Sequence, residues 1–166
     1  MIGQQHQVDV HGRVIDFIAA SGLPHRQLAH PACRTSAESA AARAGAGAPG
    51  SVGAKALVVK TGAGFAMLVL PGDARLASDV VRGIIGKFRF ARPEEVETVT
   101  DGLRPGMIPP FAAPVFEAIP TLIVDERIGR EPLIGFNSAH LERSVVMTGA
   151  NYMQLVQPFA VAAICE

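Results

Sequence analysis

AKALVVKTGAGFAMLVL, residues 54–70, decides the fold. Two apolar runs, AKALVVK and FAMLVL, flank Thr61, Gly62, Ala63 and Gly64, the pattern of a β-hairpin closed by a glycine-containing loop. Neither run alternates polar with apolar residues. Both strands are therefore expected to be buried on two faces, or to lie inside a barrel-like sheet. Pro71 and Gly72 break the second strand. Lys55 opens a strand that is otherwise apolar until Lys60. It either snorkels from the strand end with its ammonium in water, or stands at the rim of a pocket where it would meet a carbonyl or phosphate oxygen.

Upstream of the hairpin, residues 8–20 place Val10, Val14, Phe17 and Ile18 on one helical face, and Ser21-Gly22 supplies a stop. A short extended piece follows over His25 to His30. Thr35 and Glu38 stand in capping-box register, so a helix is expected from Ser36 to about Ala44. Gly45, Gly47, Pro49 and Gly50 end it in a loop. Downstream, Ser78 to Ile85 reads as a helix capped by Ser78, and Lys87 to Phe90 as a short strand. Pro93, followed by two glutamates, starts another helix. Strands are expected over Thr121 to Val124, Leu133 to Phe136 and Ser144 to Met147. A short helix capped by Asn151 and a last strand over Phe159 to Ile164 complete the chain. No internal repeat is present. Irregular interleaving predicts an α+β fold: a mixed, mostly antiparallel sheet flanked by helices.

The 166 residues suit a single domain spanning 1–166, and 49% hydrophobic residues can fill its core. Lys+Arg and Asp+Glu both total 15. Zero net charge argues against a protein that grips DNA or RNA through a large basic surface, although it allows contact with the end of an RNA. No window approaches the roughly 20 apolar residues that span a bilayer, and residues 1–14 lack the order of a signal peptide. A cytoplasmic location and no membrane partner are expected. Cys33 and Cys165 lie far apart, and the five histidines show no HxxxH or HExxH spacing. Neither a metal nor any other cofactor is expected.

Two further stretches carry candidate chemistry. GMIPP, residues 106–110, is stiff and poor in donors. Gly106 can adopt angles closed to other residues and offers its amide to close approach, while Pro109 and Pro110 hold the chain rigid. Such a loop can hold a carbonyl or oxyanion, or be a stiff surface loop. GFNSAHLERS, residues 135–144, offers Asn137, Ser138, His140, Glu142, Arg143 and Ser144 in quick succession. It can line a polar pocket or form a solvated turn.

AKALVVK, GMIPPF and GFNSAHLERSVVM, in this order with RTSAESAA, PGDARL and ARPEEVE between and before them, resemble the YbaK/ProX-type aminoacyl-tRNA deacylases. The same fold occurs as the editing domain of bacterial prolyl-tRNA synthetases. The resemblance is strongest over residues 23–155. It implies a free-standing trans-editing hydrolase that removes a small amino acid from mischarged tRNA. Lys55 matches the family's functional lysine, and Gly106 to Pro110 its G-x-x-x-P loop. Ser144 falls at a pocket-side position. Asn151 stands where relatives often carry an acid, which cannot then serve as a base here.

The expected partner is the acceptor end of aminoacyl-tRNA, met directly or, alternatively, delivered by an aminoacyl-tRNA synthetase. Lys55 and Gly106 are the expected catalytic groups, with Met107, Ile108, Pro110, Phe111, Asn137, His140, Ser144 and Asn151 around the substrate. Aminoacyl esters are already activated, so positioning and polarisation suffice, and no G-x-S-x-G elbow is present. The alternatives are a non-catalytic tRNA- or synthetase-binding module on the same fold, and a hydrolase of small amino-acid derivatives.

Overall fold

The computed structural model describes residues 9–166. Helix α1 (Val10–Ser21) starts where the Asp9 carboxylate accepts the Gly12 N–H, and stops at Gly22, which adopts a left-handed φ of 72°. The expected start at Val8 lies outside the described residues. Strand β1 (Arg26–Ala29) follows, then α2 (Ser36–Gly45), with Thr35 Oγ1 accepting the Glu38 N–H. The hairpin forms as expected: β2 (Val52–Thr61) pairs antiparallel with β3 (Gly64–Pro71), from Ala54 opposite Pro71 to Thr61 opposite Gly64. Met67 to Leu70 are all fully buried, as their unbroken apolar run requires.

Next come α3 (Ser78–Ile85), β4 (Phe88–Phe90) and α4 (Pro93–Val99). The cap of α3 is Ala77, not Ser78, and it makes no side-chain capping bond. Beyond the proline-rich segment lie β5 (Thr121–Asp125), α5 (Glu126–Arg130), β6 (Ile134–Asn137), β7 (Arg143–Met147), α6 (Gly149–Val156) and β8 (Ala160–Ala162). Helix α5 has no counterpart among the expected elements. Thr148, not Asn151, caps α6: its hydroxyl accepts the Asn151 N–H at 3.1 Å.

The eight strands form one mixed sheet in the order β1-β7-β6-β2-β3-β5-β8, with β4 also on β2. The pairs β1/β7, β6/β7, β2/β3 and β2/β4 are antiparallel, while β2/β6, β3/β5 and β5/β8 are parallel. The path is open, with β1 and β8 at its ends, so the barrel-like closure expected from the apolar runs is not formed. Buried apolar residues from α1, β2, β3, β5, β6, β7 and the 103–119 segment make the main core. No helix among the described residues is long and apolar enough to cross a membrane.

Strand β2 has an unusual edge. Its start, Val52 and Gly53, pairs with β6, and its end, Val59 to Thr61, pairs with β4. Since β3 occupies the opposite edge, residues 54–57 have no strand partner on the side shared by β6 and β4. The gap positions the site described below.

Helix α4 is held to β4 by a bidentate pair, Arg89 to Glu95 at 2.7 and 3.1 Å. The Arg89 hydrogen bonds, then the Arg92 backbone N–H, hold the Glu95 carboxyl down from 4.5 to about 2. A carboxyl depressed in the folded state stabilises fully above its unfolded value and loses that contribution as pH falls through its folded value. Glu95→Gln should therefore be less stable than the parent at neutral pH, and the gap should close between pH 4.5 and about 2. Urea titrations at a series of pH values check this; a constant gap over that window would count against it.

Candidate active site

The gap in the β2 edge opens into a cavity of about 700 Å³. Its walls come from α2, residues 51–57 of β2 and the loop before it, the turn after β3, the GMIPP loop and β6. Arg34, Arg43 and Lys55 line it against one carboxylate, Asp73. A chain of zero net charge thus concentrates positive charge at one concave place, where low-dielectric walls strengthen its field.

Lys55 is half-buried. Its ammonium donates to Ala74 O at 2.9 Å and, more weakly, to Gly72 O at 3.4 Å. The turn PGDA, residues 71–74, thus aims the side chain. An ammonium has three donors, so one N–H stays available to a ligand. Gly106 is at φ +93°, a conformation that favours glycine. Its carbonyl accepts from Asn137 Nδ2 at 2.8 Å, which fastens the loop to the end of β6. Ile108, 8% exposed, supplies an apolar wall. Lys55, Gly106, Ile108 and Asn137 are therefore brought together around one cavity.

The other expected site residues lie elsewhere. Phe111 is 1% exposed and sits in an aromatic cluster with Phe17, Phe136 and Tyr152, at centroid distances of 5.7, 5.4 and 6.0 Å. Pro110 is buried, and its carbonyl accepts from the Tyr152 hydroxyl at 2.7 Å. Met107 packs against the main core. These three residues hold the loop from behind, because its apolar members satisfy the core while Gly106 faces out. His140 is exposed, and its Nδ1 accepts the Glu142 N–H at 3.0 Å, closing the turn before β7. Asn151 is the third residue of α6, away from the cavity.

Ser144 does not face the cavity either. It is 1% exposed and bonds His30 Nε2 at 2.7 Å. His30 Nδ1 lies 2.9 Å from Pro31 O, which can only accept, so Nδ1 carries the proton and Nε2 accepts from the Ser144 hydroxyl. Cys33, on the cavity wall, lies 3.8 Å from that Nδ1 and donates to Pro31 O. His30 thus has no lone pair free for the thiol, and the pair is not an activated nucleophile. No cluster of three or more His, Cys, Asp or Glu among the described residues is placed to hold a metal.

Arg43 was not among the expected site residues. It lies on α2 with Ser36, Ser39 and Ala40, all lining the cavity, at the spacing of one helical face. Arg43 as a residue is only 2% exposed, and its side chain rests across the paired glycines Gly53 and Gly135 of β2 and β6. A Cβ on Gly135 would collide with Arg43 Nε and Cδ, and one on Gly53 would stand 3.3 Å from Nη2. Arg43 Nε donates to Ser51 Oγ at 2.8 Å. Burial pulls its pKa below the usual arginine value, opposed by nearby Cys33. The sequence signal was present as one arginine in an alanine-rich helix ahead of a glycine-rich loop.

Known proteins share this architecture. The E. coli (strain K12) multifunctional Ser/Thr-tRNA deacylase ProXp-y is 30% identical over 158 residues, covering 89% of each chain. The crystal structure of the hypothetical protein APE2540 superposes with a TM-score of 0.78 at 28% identity, covering 93% of this chain and 99% of that one. A structure described as a candidate trans-editing enzyme for prolyl tRNA synthetase gives 0.77 at 24% identity, covering 96% and 98%; at that identity it supports the fold alone. The aminoacyl-tRNA editing domain profile matches residues 30–155, and the chain belongs to that family.

Proposed function

We propose that the protein is a free-standing trans-editing deacylase, acting as one editing domain over its whole length. It hydrolyses the ester between a small amino acid and the terminal ribose of a mischarged tRNA. The observation that carries this reading is the cavity at the open edge of β2, lined by both Lys55 and the Gly106 loop in a locally basic setting. Membership of the editing-domain family and likeness to a Ser/Thr-tRNA deacylase support it.

The free N–H of Lys55 takes a carbonyl or terminal phosphate oxygen. The Gly106 loop, fastened by Asn137, orients the ester. A water adds to the carbonyl carbon, the ester bond breaks, and the ribose oxygen leaves as a hydroxyl with the free amino acid as the other product. Polarisation and orientation supply the rate, with no side-chain nucleophile. Ile108 limits the size of the bound residue by sterics. Only the acceptor end of the RNA reaches the cavity, and a synthetase delivers it in the cytoplasm.

Hydrolysis of tRNAs charged with a panel of small amino acids tests the reading. Selective turnover is expected, with a shallow salt dependence because few phosphates are contacted. No turnover by the folded protein across the panel would overturn it.

A further inference from the structure

Arg43 has features that a structural pillar does not need. A guanidinium carries five N–H donors, and only the one on Nε is used, by Ser51. The terminal nitrogens make no hydrogen bond among the described residues, yet neither is sealed off: Ser138 Oγ is the sealed side-chain atom left without a partner there. No carboxylate lies within ion-pair distance of Arg43 among those residues. A buried cation without counter-charge is costly. Here it is kept on a bed of paired glycines in the wall of a cavity.

The depth of each polar group orders the substrate. Gly106 is exposed, Lys55 and Asn137 are half-buried, and Arg43 is 2% exposed. A tRNA must leave through the mouth, so its phosphates stay near the exposed groups. The part of an aminoacyl ester furthest from the ribose is the amino acid itself. Its α-ammonium is repelled by a guanidinium, which leaves the side chain. Ser51 strengthens the same end: its oxygen accepts from Nε, so its own proton remains to be donated.

We infer that Arg43, assisted by Ser51, reads the amino-acid side chain and selects those carrying an oxygen acceptor over alkyl side chains of equal size: serine over alanine, threonine over valine. This rests on the deacylase reading above. Stripping a hydrogen-bonding site of its partner group leaves the site's buried donors unpaired, which is why such a site discriminates far better than an apolar pocket can.

The test measures kcat/KM on tRNA charged with serine, alanine, threonine or valine, for the parent, Arg43→Met and Arg43→Lys, with Tm recorded for each. The parent should prefer serine to alanine and threonine to valine by more than about tenfold. Arg43→Met should erase both preferences by losing the hydroxylated substrates while keeping the alkyl ones, and Arg43→Lys should restore part of them. Gly135→Ala, which pushes the guanidinium off its bed, should weaken the same ratios and serves if Arg43→Met fails to fold. An equal loss on all four substrates, or unchanged ratios, would overturn the inference.

Calorimetric binding of hydrolysis-resistant, amide-linked seryl- and alanyl-adenosine separates the two readings. Selective binding without turnover upholds Arg43 and removes the deacylase. Turnover with equal binding and equal rates keeps the deacylase and removes the role of Arg43.

Discussion

Lys55→Ala is expected to lower kcat/KM on every susceptible mischarged tRNA by about 10²-fold, the scale of removing one preorganised donor from a polarising site. The ammonium is already oriented by Ala74 O and Gly72 O, so the free protein has met the cost of placing it. Loss of that donor should be felt in the transition state. Lys55→Met keeps an aliphatic stem of similar length and removes the charged donor, and it should show a similar loss. The parent and both variants should have closely similar Tm values, because the freed carbonyls belong to a half-buried turn that water can reach. Steady-state kinetics with thermal melts decide it: unchanged turnover in Lys55→Ala would remove Lys55 from the chemistry.

Gly149→Ala should destabilise the fold by about 3 kcal/mol, the upper range for forcing a methyl group into a packed site. Gly149 opens α6, and its N–H donates to Glu131 O at 3.0 Å. A Cβ there would run into the carbonyl oxygen of Ile128 and stand 2.8 Å from that of Glu131. Both obstacles are backbone, so no rotamer change relieves them. The same two helices also approach through Gly129, where a Cβ would lie 3.0 Å from Met153 Cγ, but that neighbour is a flexible side chain and can yield. Gly129→Ala should therefore cost much less. Urea unfolding of the two variants checks the order, and equal costs would contradict the backbone explanation.

Several local signals were legible in the sequence, and pairings at long range were not. The hairpin was legible because both strands and their turn lie within residues 54–70. Helix α5 was missed because ERIGR is five residues long, contains a glycine and follows directly on a strand, so no periodicity can develop. The cap of α6 was misplaced because Thr148 and Asn151 are both capping residue types, three apart, and only the fold decides which backbone bends. Around the candidate cavity, Lys55 and the GMIPP loop were visible as departures from their surroundings. The buried Phe111, Pro110 and Ser144 were drawn into the expected site because adjacency in sequence does not tell which way a side chain faces. Arg43 was passed over because an arginine among alanines reads as a solvated helix face; its burial depends on Gly135 opposite Gly53, a pairing made between distant parts of the chain.

The two-way division of the β2 edge also bears on how the molecule is made. The hairpin and α3 can form while the chain is still leaving the ribosome, since their contacts are local. Strand β3 must wait for β5, whose Leu122 pairs with Met67, and the start of β2 must wait for β6. Until then the most apolar strand has a bare edge and is open to pairing with other chains. The cavity acquires its far wall only when Gly135 to Asn137 dock. A nascent or truncated chain ending before β6 therefore holds its lysine and its proline loop without an enclosed cavity, and the cavity is walled in only as the final strands are made.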